Sequence, residues 1–221
     1  MAAPTVALIH ATPTSMPPAH TAFAERFPDA RLWNLLDDRL ITEADAAGGL
    51  TPALGQRMAA LIRYAVGGGA DAVQLTCSMY GPVTQDGDWA VPVHASDAAM
   101  FTRIRADRPH RVAVLGPLST GVADTTRRLR EFLGGAGVRV EGVVVEGAAA
   151  ASRADDHAQL RDLVVDAARR AAPEVDMIVL GQYSISLVHA AVSAAVPVPV
   201  LSPPHLAADT LRDVLTGGQP R

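Results

Sequence analysis

Hydrophobic positions along the chain come in two alternating textures. Short continuous runs such as Val6-Ala7-Leu8-Ile9, Val112-Ala113-Val114-Leu115 and Met177-Ile178-Val179-Leu180 are separated by longer alanine-rich segments with helical spacing. The runs predict strands over 5–10, 31–35, 72–76, 91–94, 112–115, 138–145, 176–180 and 198–201. Helices are expected near 19–26, 52–66, 96–106, 121–133, 155–172, 184–196 and 205–215. Strand and helix in alternation mean parallel sheet with crossover helices, and uninterrupted apolar strands suit a sheet covered on both faces. The fold class is α/β.

The pattern also repeats. Val6-Ala7-Leu8-Ile9 is echoed by Val112-Ala113-Val114-Leu115 at an offset of 106. The segment from Asp71 to Ser78 is echoed by Asp176 to Tyr183 at an offset of 105, and Val91-Pro92-Val93-His94 by Val198-Pro199-Val200-Leu201 at 107. Three matches in one order predict two pseudo-symmetric parallel-sheet halves with flanking helices. The first half is expected over 1–98 and the second over 99–202, with a C-terminal helix, 203–221, packing back on the first. Ligands of parallel sheets bind beyond the carboxyl ends of the strands, so the active site is expected in a cleft between the halves. His10-Ala11-Thr12, Cys77-Ser78, Ser119-Thr120 and Gln182-Tyr183-Ser184 would then line that cleft, with Cys77 facing Gln182.

Composition narrows the class. The 221 residues are 49% hydrophobic, enough for buried cores, and a net charge of −4 offers no footprint for nucleic acid. Arg127, Arg128 and Arg130 have the helical spacing of a solvated face. The N-terminus lacks the basic start of a signal peptide and reads as a first strand. The apolar stretch from His189 to Leu201 contains two prolines and falls short of the roughly 20 residues of a membrane span, so no membrane association is expected. A single cysteine forms no internal disulfide and suits a reducing, cytoplasmic setting. A homo-oligomer stays open.

Cys77 is the first candidate for chemistry. It stands where a strand ends and a helix or turn begins, where oriented N–H groups would favour the thiolate. Such a thiolate could move a proton to or from carbon, or attack an electrophile. A buried, inert cysteine is the plain alternative. Hydroxyls cluster on the same set of loops: Thr12, Thr14 and Ser15, then Ser78, then Ser119 and Thr120, then Ser184. Individually they suit helix caps; together they suit a small anion. His10 ends the first strand and could supply a second acid/base. His94 and His205 read as rim residues, and His157 as part of a helix start after Asp155-Asp156. Asp37-Asp38 reads as a turn. No histidine or cysteine set has metal-ligand spacing, so no metal is expected. Gly67-Gly68-Gly69 precedes a strand and so is no phosphate loop.

The segments LTCSMYG and VLGQYSIS, the opening VALIHATPTSMPP and the late PVLSP together resemble the aspartate/glutamate/hydantoin racemase superfamily over nearly the whole chain. The resemblance implies two pseudo-symmetric α/β halves, each with a cysteine at the end of the equivalent strand, working without cofactor or metal. It implies proton removal by one cysteine and delivery by the other, with small-residue loops binding a carboxylate. Cys77 matches the first position, while Gln182 stands at the second, and an amide exchanges no proton in this pH range. The chain therefore resembles a single-cysteine member, as arylmalonate decarboxylase is, although there the cysteine of the other half is retained; maleate isomerase is another relative. Cys77, on this resemblance, and His10, from its place at the end of the first strand, are the expected acid/base groups. Thr12, Ser78, Tyr80, Ser119, Thr120, Gln182, Tyr183 and Ser184 would bind a small carboxylate-type substrate.

Overall fold

A computed structural model describes residues 3–135 and 137–217, and the chain divides into two compact units. One comprises Met1–Ala98 with Pro204–Arg221, the other Ala99–Pro203. Positions 218–221 of the expected C-terminal segment lie outside the described residues.

The first unit carries β1 (Thr5–His10), α1 (Met16–Arg26), β2 (Arg31–Leu36), α2 (Arg39–Ala47), α3 (Pro52–Gly67), β3 (Ala72–Leu75) and β4 (Val93–His94). Its four strands are parallel in the order β2-β1-β3-β4. The second unit carries α4 (Ala98–Asp107), β5 (Arg111–Gly116), α5 (Ser119–Leu133), β6 (Arg139–Val144), α6 (Ala148–Arg153), α7 (His157–Ala171), β7 (Met177–Leu180), α8 (His189–Ala195) and β8 (Val200–Leu201). Its parallel order is β6-β5-β7-β8, the same arrangement. The final helix, α9 (Pro203–Thr216), belongs almost wholly to the first unit, where Arg212 Nη1 donates to the Arg26 carbonyl at 2.8 Å and His205 Nε2 lies 3.1 Å from Glu25 Oε2.

Each sheet is cored by its own apolar strands. Ala7, Ile9, Val73 and Leu75 pack with Leu40, Leu54, Met58 and Ile62; Ala113, Leu115, Ile178 and Leu180 pack with Leu160, Val164 and Val192. Each fully buried Leu, Ile or Val contributes about 1.5–3 kcal/mol by leaving water. Register bonds repeat across the units. The Thr76 N–H donates to the Ile9 carbonyl at 3.0 Å, and the Gly181 N–H to the Leu115 carbonyl at 2.7 Å. Asp71 Oδ2 accepts the Thr5 N–H at 2.7 Å, and Asp176 Oδ2 accepts the N–H groups of His110 and Arg111 at 2.7 and 2.9 Å. An aspartate thus caps the first strand of each unit.

Several segments depart from the sequence pattern: α6 forms ahead of the helix expected over 155–172, and the strands expected over 91–94 and 198–201 shorten to two residues each. The Asp37-Asp38 turn opens a full helix, α2, that buries only Leu40 and Ala44 and stops at Gly48 in the left-handed region. The helix expected over 184–196 is split into tight 3₁₀ turns over Tyr183–Val188 followed by α8. There the Ser186 hydroxyl donates to the Gln182 carbonyl at 3.2 Å, a local bond that competes with the α-helical ladder. No helix among the described residues is long and apolar enough to cross a membrane.

Candidate active site

In the first unit the carboxyl ends of β1 and β3 carry Cys77, His10, Thr12 and Ser78. Cys77 is half-buried in an extended conformation (φ −117°, ψ 121°) and heads an eight-residue run of 3₁₀ turns, Ser78–Gln85. Pro82 inside that run has no N–H to donate, so the helix start expected after Cys77 is a chain of tight turns without an aligned α-helical dipole. Thr12 and Ser78 are half-buried, and the Thr12 and Thr14 hydroxyls lie 3.1 Å apart.

His10 and Tyr80 depart from expectation. His10 is fully buried. Its Nδ1 lies 2.9 Å from Ser15 Oγ and 3.0 Å from Thr76 Oγ1, and its Nε2 lies 3.1 Å from Asn34 Oδ1. Burial lowers its pKa to about 4, outweighing the opposing bond from Asn34, with the neighbouring His20 adding to the fall. The imidazole is therefore neutral near pH 7 and enclosed by hydrogen-bond partners, which does not suit an open acid/base. Tyr80, expected against substrate, is fully buried, and its hydroxyl donates to the Leu40 carbonyl at 2.9 Å. Burial first, then the nearby Cys77, pushes that hydroxyl up to about 12. It braces the turns after Cys77 against α2, which Arg57 holds through 2.6 Å contacts to both Asp37 carboxylate oxygens and a 3.1 Å contact to Glu43.

In the second unit Ser119, Thr120, Gln182, Tyr183 and Ser184 stand at the carboxyl ends of β5 and β7. Ser119 and Thr120 are exposed in the first turn of α5. The residue before that helix is Leu118, which has no side-chain oxygen, so the first N–H groups of α5 receive no side-chain cap. The Gln182 amide rests on the bare backbone of Gly121 and lies close to Gly116; a methyl group at Gly121 would overlap it. Gln182 and Ser184 are half-buried, and Tyr183 is buried. Among the described residues no group of three or more histidine, cysteine, aspartate or glutamate side chains could hold a metal ion. Thr76, Asn34 and Gly121 were not singled out from the sequence. The repeat offsets carry only part of the signal, aligning Thr76 with Gly181 and Ser15 with Gly121, while Asn34 needs strand register to find its counterpart.

Two parallel α/β sheets with hydroxyls, one thiol and one amide at the strand ends define a racemase-like fold. The family model for Asp/Glu/Hydantoin racemase matches residues 87–211, more than half of the chain, and the chain belongs to that family. The matched stretch includes Gln182 and leaves Cys77 outside. Solved structures agree on the fold. Aspartate racemase from Picrophilus torridus superposes with a TM-score of 0.74 at 12% identity, covering 96% of this chain and 94% of that one. Allantoin racemase from Klebsiella pneumoniae gives 0.73 at 14%, covering 97% and 89%. Unliganded arylmalonate decarboxylase gives 0.64 at 24%, covering 99% and 94%. No curated protein sequence matches the chain.

Proposed function

We propose that the chain is a cofactor-independent racemase- or isomerase-like enzyme that acts at the carbon next to a carboxylate or carbonyl of a small substrate, with Cys77 as its acid/base. The observation that carries this reading is the lone cysteine at the end of β3, heading a turn on a racemase-family fold. The Cys77 thiolate takes the α-proton, the electron pair delocalises into the carbonyl, and N–H and hydroxyl donors hold the developing oxyanion. Thr12, Ser78, Ser119, Thr120 and Ser184 are the proposed donors, with Gln182 and Tyr183 orienting the substrate. Because Gln182 carries no exchangeable acid, the thiol returns the proton to the face it left. Exchange should therefore outrun appearance of the enantiomer.

The single thiol also favours a second reading. Loss of CO₂ from a malonate-type substrate leaves the same carbanion, and Cys77 then delivers one proton. Solvent-deuterium exchange screened over small carboxylates, hydantoins and malonates separates the two. In either case Cys77→Ser should lower the rate by roughly 10²- to 10⁴-fold. Full exchange by Cys77→Ala would eliminate the thiol mechanism. A stable acyl adduct on Cys77 by intact mass would replace it with nucleophilic catalysis.

A further inference from the structure

We infer that His10 is a positioning residue, the hub that fixes the Thr76–Cys77 strand end and the Thr12 loop together. The inference rests on Cys77 being the working thiol and assigns the imidazole no proton transfer.

The hub is a closed set of hydrogen-bonding contacts around the His10 ring. Asn34 Oδ1 lies within reach of Nε2 on both His10 (3.1 Å) and His20 (2.8 Å). An amide oxygen only accepts, so both Nε2 atoms carry hydrogen and His10 Nδ1 is left with a lone pair. The Ser15 hydroxyl donates to the Thr12 carbonyl at 2.8 Å. Two hydroxyl hydrogens serve three acceptors here: Ser15 Oγ reaches the Thr12 carbonyl and, at 2.9 Å, Nδ1, while Thr76 Oγ1 reaches Nδ1 at 3.0 Å and the Ile9 carbonyl at 3.3 Å, and the two oxygens lie 2.9 Å apart. Thr76 is held at two points, by its hydroxyl among the ring, Ser15 and the Ile9 carbonyl, and by its N–H on the Ile9 carbonyl at 3.0 Å. Cys77 is the next residue, so its point of departure from the sheet is set by that double hold. Through Ser15 the same ring fixes the carbonyl of Thr12.

The second unit supplies an internal control. Leu8 pairs with Asn34 as Val114 pairs with Gly142, and His10 pairs with Leu36 as Gly116 pairs with Val144. Thr76 and Gly181 make the same backbone bond to the neighbouring strand. Thr12 and Leu118 each precede the first helical turn after their strand, which sets Ser15 against Gly121. All four hub residues, His10, Ser15, Asn34 and Thr76, therefore correspond to glycines: Gly116, Gly121, Gly142 and Gly181. Side chains of Val122 and Gln182 crowd three of those glycines, and Val114 the fourth. The polar hub is thus built in the unit that carries the cysteine and dismantled in the unit that carries the amide. A hub needed only to hold a β1–β3 strand end together would be needed in both.

The test is iodoacetamide alkylation of Cys77 in the full-length protein across pH, with the urea-unfolded chain as reference. Thr76→Val removes the hydroxyl at nearly constant shape, and Thr76→Ser retains it. The wild-type profile should differ from the unfolded one. Thr76→Val should move it toward the unfolded profile, with the rate near neutral pH changed by roughly fivefold, the weight of one net hydrogen bond. Thr76→Ser should restore it. Ser15→Ala, which leaves the strand intact, should shift it in the same sense and stands in if Thr76→Val fails to fold. Coincident profiles for wild type, Thr76→Val and Ser15→Ala, with thermal stability lowered, would reduce His10 to a structural residue and overturn the inference while Cys77 keeps its role. A wild-type profile equal to that of the unfolded chain would overturn both.

Discussion

The two units share a strand order and a register, yet their strand ends are held by different physics. At β1 and β3 a buried imidazole gathers two hydroxyls and an amide, so geometry depends on hydrogen bonds and on a protonation state. At β5 and β7 the corresponding positions are glycines, and geometry depends on how closely Val122, Val114 and Gln182 approach bare backbone. One end should yield to a proton, the other to a methyl group. A duplicated scaffold can thus keep its topology while each copy is specialised by what fills the space beyond its strands.

The largest effect that could break this comparison is acid. His10 has a pKa of about 4 in the folded protein against 6.5 for the ordinary imidazole. Between those values the unfolded chain binds a proton that the folded one refuses. The stability difference is therefore fully present above pH 6.5 and is lost as pH falls through about 4, by about 3 kcal/mol at most. His20 is the titratable side chain acting on the ring, and His94 of the same unit, lowered by burial, adds in the same direction. Hydrogen exchange followed by mass spectrometry should show β1 and β3 peptides losing protection between pH 6.5 and 4.5 before β5 and β7 peptides. His10→Gln should flatten that slope. Equal loss in both units would erase the contrast.

Next in size is Gly181→Ala. The added carbon would sit 2.8 Å from Val114 Cγ1 and 3.2 Å from the Leu115 carbonyl, both on β5, to which β7 is paired. Relief requires moving β7 from its neighbour, at a cost of about 1–3 kcal/mol. The melting temperature should drop, with protection lost first in β5 and β7. An unchanged melting temperature would mean the glycine is not there for room.

Much of this architecture is legible in the residues. β1 runs over the expected Thr5–His10, and the parallel α/β class follows from apolar strands alternating with helices. α2 was not legible, because a helix that buries only Leu40 and Ala44 leaves too thin an apolar stripe after an Asp-Asp pair. The hub was not legible either. Thr76 meets His10 across 66 positions and Asn34 meets it across 24, and only strand register brings them together. His10 and Tyr80 looked like site residues because they end a strand or follow the cysteine, and position along the chain says nothing about which way a ring turns. That Cys77 and Gln182 occupy equivalent strand ends of their own units was visible because they lie within a single repeated segment.

The smallest effect concerns Gly121→Ala. Here the added carbon would overlap the Gln182 amide, the far end of a flexible side chain, and not a strand backbone. Among the described residues no hydrogen bond fixes that amide, so it can rotate aside at little cost. Alanine is also favoured over glycine inside a helix by up to about 1 kcal/mol. The two terms oppose each other, and the melting temperature should stay within about 4 °C of wild type. Function should respond differently. If the amide orients substrate from its place over Gly121, moving it should raise KM much as Gln182→Ala does. The double variant should then be no worse than either single one, since each removes the same contact. Additive losses would show that Gly121 and Gln182 act separately. A Gly121→Ala enzyme with wild-type KM would show that the amide works from elsewhere or not at all.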